Sequence, residues 1–133
     1  MNAIVHQLPQ KYIQVMEMQK GLPADEISLD LVQTCIFGLG VLSARKIDNF
    51  QYPLSEAFAL IDWIYAKDFK TEKGLRSEST ENAISTFGKL VYFHGENLSA
   101  DIVTQGFLNR LPLTTDSAEA PPTHSLFFKQ IIA

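Results

Sequence analysis

The sequence predicts an all-α fold of antiparallel helix pairs stacked side by side. Three observations predict it. Apolar residues recur at i, i+3, i+4 and i+7 in several separate stretches, the spacing of one helix face. Polar loops and cap residues divide those stretches at short intervals. No run alternates with period two, so there is no strand signal.

Glu78–His94 gives the clearest helix. Ile84, Phe87, Gly88 and Val91 form one stripe, and Ser77, Ser79 and Thr80 supply cap oxygens at its start. Gly88 falls inside the stripe. A glycine there costs about 0.5–1 kcal/mol relative to alanine, which close approach of a neighbouring helix would offset. Before it, Ile4–Lys20 reads as a weaker helix carrying Ile13, Met16 and Met18, with Pro9 in or before its first turn. Gly21-Leu22-Pro23 breaks that helix. Asp25, Glu26 and Ser28 lead into the next, where acids suit the dipole. Its stripe is Val32, Cys35, Ile36, Leu39 and Leu42, and it is expected to run to about Lys46. Pro53 opens a helix to Lys67 from the N1 position. Leu54, Ala57, Phe58, Ile61, Ile64 and Tyr65 form its buried face, and Trp63 falls off that face. Asp68–Arg76 is a polar loop. Gly95-Glu96-Asn97 ends the Glu78 helix as a C-cap. Ser99 caps a helix to Leu111, Pro112 stops it, and Leu113–Ala120 is a linker. Pro121-Pro122 begins a last helix through Leu126, Phe127, Ile131 and Ile132.

The stretches around Gly40 and Gly88 can be laid over one another, and so can the helices opened by Pro53 and by Ser99. The period is about 47 residues, within the range of HEAT and armadillo repeats. A partial repeat over 1–24, repeats over 25–70 and 71–112, and a partial repeat over 113–133 divide a single domain. A plain helical bundle is the alternative reading of the periodicity alone.

Composition narrows the chemistry. The chain has 133 residues, 46% hydrophobic and 20% charged, the balance of a globular domain. A net charge of -4 disfavours direct nucleic-acid binding and leaves a basic ligand open. The single cysteine, Cys35, forbids an intrachain disulfide and fits a reducing compartment. No signal peptide or membrane span is expected. Asn97-Leu98-Ser99 has the glycosylation pattern but reads as a loop into a helix cap. Gly38-Leu39-Gly40 lacks the third glycine and the preceding strand of a nucleotide loop, so helix packing is expected there. His6, His94 and His124 are scattered, with no metal-ligand spacing. No catalytic, cofactor or metal residues are expected, and binding rather than catalysis is. A small all-α enzyme with an unrecognised pocket is the remaining catalytic reading.

Three stretches together carry a resemblance: LVQTCIFGLGVLS at 31–43, STENAISTFGKLVYF at 79–93 and FLNRLPLTTDSAEA at 107–120. The residues concerned are Phe37, Gly38, Leu39, Gly40 and Val41; Thr80, Glu81, Asn82, Ile84, Ser85, Gly88 and Lys89; and Leu111, Pro112, Leu113, Asp116 and Glu119. In this order and spacing they resemble the C-terminal HEAT-repeat region of the importin-β superfamily, most closely the receptors that import ribosomal proteins and histones. Those receptors are many times longer, so the resemblance implies a fragment of a solenoid without the repeats that bind Ran-GTP. It implies a protein that binds cargo or a transport regulator, with no membrane or direct nucleic-acid partner, working in cytoplasm and nucleus. A standalone helical-repeat adaptor is the alternative. Fragment ends would expose apolar surface and favour self-association.

Within that picture, the second helix of each pair lines the concave side. Trp63 lies on such a helix with Glu56 and Asp62 near it, a set suited to a basic segment. Packing against the adjacent repeat is the other reading of Trp63. Gly38, Gly40 and Gly88 are expected at inter-repeat contacts. The resemblance makes Asn82 a tie between repeats; an exposed polar residue is the other reading.

Overall fold

The computed structural model describes residues 2–45, 52–95, 98–113 and 120–125. The described residues are all-helical. The helices are α1 (Asn2–Lys20), α2 (Leu29–Ser43), α3 (Leu54–Lys67), α4 (Glu78–His94) and α5 (Ala100–Gly106). Short 3-10 turns cover Ala24–Glu26 and Leu108–Arg110, and residues 120–125 are helical. The one extended pairing among the described residues is an isolated bridge between Lys70 and Arg76.

Serine starts three of the helices in the same way. The Ser28, Ser77 and Ser99 hydroxyls accept from the backbone N–H three residues on, each at 3.3 Å. Each such cap is worth about 1 kcal/mol. Pro53 takes that place for α3, where its missing N–H is no loss. Helix α3 ends at Asp68, left-handed at φ 50°, whose N–H bonds the Ile64 carbonyl. Gly95 ends α4 with φ -88°, so this is not the left-handed glycine stop that its sequence suggested. Glu96 and Asn97 lie outside the described residues.

Several expected boundaries shift. Helix α1 begins at Asn2, which puts Pro9 beyond the first turn, buried inside the helix. Ile13 and Met16 are in the core, but Met18 is 72% exposed, because two residues along a helix reach the far side. Helix α2 closes at Ser43, whose hydroxyl donates to the Gly40 carbonyl at 2.6 Å, and Arg45 lies past its end. Lys46 is outside the described residues, as is the continuation of the last helix past Ser125. Helix α5 is shorter than expected and gives way to the 3-10 turn at Leu108. Leu60, not anticipated on the buried face of α3, is fully buried.

Helix α4 is the centre of the packing. Every residue from Ser79 to Gly88 is buried, so its polar side has neighbours as well as its apolar stripe. Helix α2 makes the most extensive contact with it, α1 packs on α2, and α3 packs on α4. Helices α2 and α4 run parallel: Gln33 donates to the Glu78 carboxylate near one end, and His94 Nε2 donates to the Ser43 carbonyl at the other. Between them, Thr86 Oγ1 donates to the Ile36 carbonyl at 2.9 Å. These pairs lie 45, 51 and 50 residues apart in sequence.

The glycines make room for side chains, not for helix backbone as the spacing suggested. A Cβ on Gly40 would stand 2.6 Å from Thr86 Oγ1. One on Gly38 would strike the Tyr12 ring, and one on Gly88 the Phe107 ring. Phe87 in turn occupies the space beside Gly106. The pairs Phe87-Gly88 and Gly106-Phe107 therefore interlock, each ring seated where the other strand of the contact has no side chain.

Thr86 is pinned by its bond to Ile36, so it cannot swing away from a new methyl group. Gly40→Ala should lower unfolding stability by about 1–3 kcal/mol. In a Thr86→Ala background the same change should cost less, measured by urea denaturation as a double-mutant cycle. Equal costs in both backgrounds would mean that the two residues do not meet.

Candidate functional site

Three helices and a turn build a cleft of about 440 Å³. Phe58, Asp62 and Tyr65 face it from α3, at i, i+4 and i+7. Ile102 and Gln105 face it from α5, Arg110 from the 3-10 turn that follows, and Phe87 of α4 contributes to its lining. The aromatic rings pack on one another: Phe58 meets Phe87 edge-on at 5.1 Å, and Tyr65 stacks with Phe87 at 6.3 Å.

Polar contacts hold the two walls together. The Tyr65 hydroxyl donates to the Gly106 carbonyl at 2.7 Å, which ties α3 to the end of α5. The Arg110 guanidinium lies 3.7 Å from the centre of the Tyr65 ring, a cation–π contact. Its Nε donates to the Gln105 carbonyl at 3.2 Å. Arg76 anchors the segment beneath by donating to the Arg110 and Pro112 carbonyls, each at 2.7 Å. The same guanidinium meets Glu81 Oε2 at 2.7 Å, and Glu81 is fully buried. One arginine thus satisfies a buried carboxylate of α4 and fixes the turn that carries Arg110.

Burial pushes the Tyr65 hydroxyl well above its ordinary pKa; Asp62 adds to the rise, while Arg110 and Arg76 oppose it. Tyr65 therefore remains a neutral donor. Burial likewise raises the Cys35 thiol, the opposite of what an activated nucleophile needs. Among the described residues, no group of three or more His, Cys, Asp or Glu is placed to hold a metal ion. No described helix is long and apolar enough to cross a membrane. The cleft offers an aromatic base with an exposed carboxylate on one wall and a stacked guanidinium on the other. That arrangement suits non-covalent binding of a side chain or short segment.

The residues anticipated for binding do not share one cleft. Asp62 is exposed on the wall just described. Glu56 is exposed beside a separate cleft of about 450 Å³, with Gln10, Tyr52 and Pro53. Trp63 lines neither; it is half-buried, edge-on to Phe69 at 5.8 Å and packed against the core. Asn82 is buried at 2% exposure, so it is not an exposed polar residue. Its amide donates to the Glu78 carbonyl of its own helix at 2.9 Å. Tyr65, Arg110, Arg76 and Glu81 were not singled out as site residues from sequence. Tyr65 was visible as part of an apolar face, but no spacing rule joins Arg76 to a turn 34 residues away.

No known family profile and no solved structure matches this chain.

Removing Arg76 would strand the Glu81 carboxylate in the interior. Arg76→Met should cost about 3–5 kcal/mol of unfolding stability, and adding Glu81→Gln should recover part of it. Thermal and urea unfolding of the single and double variants provide the measurement. No recovery in the double variant would show that the charge of Glu81 is not what Arg76 balances.

Proposed function

We propose that the chain is a protein-binding piece of a HEAT-repeat array, of the kind found in nuclear import receptors of the importin-β type. The observation that carries the reading is the parallel pairing of α2 with α4 at sequence separations of 45 to 51 residues. In a stack of antiparallel helix pairs, equivalent helices of successive units lie side by side and parallel. The separation agrees with the period read from sequence, and the three landmark motifs fall on α2, on α4 and on the segment after α5. The array would hold a protein cargo or transport regulator, shuttling between cytoplasm and nucleus without catalysis.

In this reading α3 presents the binding side. Asp62, Phe58 and Tyr65 form one contact region; Glu56 stands at a second cleft, and Trp63, half-buried against Phe69, lines neither. Exposed carboxylates at both suit a basic cargo segment. A fluorescent lysine-rich peptide should bind the intact chain saturably. Asp62→Lys with Glu56→Lys should weaken it by about tenfold or more without moving the unfolding midpoint. Trp63→Ala tests the anchor separately. Absence of saturable binding, or binding indifferent to all three changes, would overturn the assignment of this face.

A further inference from the structure

The cleft against α3 holds a charge that a purely basic segment does not use. Among the described residues two charged side chains line it, Asp62 from α3 and Arg110 from the turn after α5. Both charges act on the buried Tyr65 hydroxyl, Asp62 raising its pKa and Arg110 lowering it. No ion pair joins them among the described residues, and neither carries an ion pair with another residue.

Arg110 is held so that its outer edge stays open. Its guanidinium lies 3.7 Å from the centre of the Tyr65 ring, and its Nε donates to the Gln105 carbonyl. The two terminal nitrogens donate to no described residue. Arg76 fixes the main chain at this point by donating to the Arg110 carbonyl at 2.7 Å. A planar guanidinium held by its face and its Nε presents the remaining N–H groups as a fork, which matches a carboxylate. A segment of lysines alone would meet attraction at Asp62 and repulsion at this unpaired cation within one cleft. A segment with an acid beside the base removes that conflict. The Phe58 and Phe87 rings, 5.1 Å apart, give apolar surface for the carbon stem of a lysine.

We propose that this cleft selects, among basic segments of a partner protein, those that carry an acidic residue beside the base. The base pairs with Asp62, and the acid takes the terminal nitrogens of Arg110. In an extended segment residues two apart point to one side, so a lysine and a glutamate with one residue between them face the cleft together. The proposal rests on the basic-segment reading of the α3 face and adds a specificity residue, Arg110, to it.

The test compares three labelled peptides of equal length by fluorescence anisotropy with the intact chain. The first is rich in lysine. The second has one glutamate placed two positions after a central lysine. The third has the composition of the second, with the glutamate moved to one end. The second should bind about fivefold tighter than the third, although their net charges are equal. Arg110→Met keeps a stem over Tyr65 without the charge and should bring the two to equal affinity. Arg110→Lys keeps the charge without the fork and should leave a smaller difference than the intact chain shows. Equal binding of the second and third peptides by the intact chain would overturn the proposal. Saturable binding of the first that Asp62→Lys weakens would then leave the α3 reading standing, whereas no binding of any peptide would remove both. A preference that survives Arg110→Met would also overturn it. If urea unfolding shows that Arg110→Met is destabilised, an undiminished preference in Arg110→Lys would do the same.

Discussion

The hydroxyl of Thr86, bonded to the Ile36 carbonyl across a side-chain-free spot at Gly40, sets how closely α2 and α4 can lie. The constraint behind it is general: a polar group taken out of water must find a partner or cost stability. Helix α4 is buried along Ser79–Gly88 and carries Thr80, Glu81, Asn82, Ser85 and Thr86 within that span. Partners for these groups come both from α4 itself, as when Asn82 donates to the Glu78 carbonyl, and from the elements packed around it. Helix α2 supplies a main-chain carbonyl, which is available only because Gly40 lets the threonine in.

The rest of the arrangement follows from where α4 sits. Its Phe87-Gly88 pair receives Gly106-Phe107, which fixes the end of α5. Its Glu81 holds Arg76, which fixes the turn beyond α5. Tyr65 then closes the gap from α3 to Gly106, with Arg110 laid over its ring. The cleft at α3 is thus a by-product of contacts that stabilise the core, and its walls are tied at both sides. A preorganised cleft of this kind loses little entropy when a ligand enters.

Local signals were legible in the sequence and long-range ones were not. The three serine caps, the helix order and the stripes of α2, α3 and α4 follow from spacing alone, because capping and periodicity act within a few residues. The burial of α4 on its polar side was invisible, since Thr86 and Glu81 look like solvent-facing residues until α2 and Arg76 are placed against them. Gly88 was recognisable as a packing position, but its partner, the Phe107 ring, was not. Grouping Glu56, Asp62 and Trp63 rested on nearness along one helix; the structure puts Glu56 and Asp62 at different clefts, because a step of six residues leaves a side chain about 120° round the helix, and it packs Trp63 on Phe69. Asn82, singled out from sequence as an unusual polar residue, is buried and donates to the Glu78 carbonyl of its own helix.

The parallel course of α2 and α4 can be measured without crystals. Spin labels at Gln33 and Glu78, with Cys35 replaced by alanine, should give a short distance by pulsed electron resonance. Labels at Gln33 and Tyr92 should be clearly farther apart, because about 20 Å of helical rise separates Tyr92 from Glu78 along α4. The reverse order, with Gln33 nearer Tyr92 than Glu78, would mean that the helices are antiparallel and would remove the repeat relation on which the account stands.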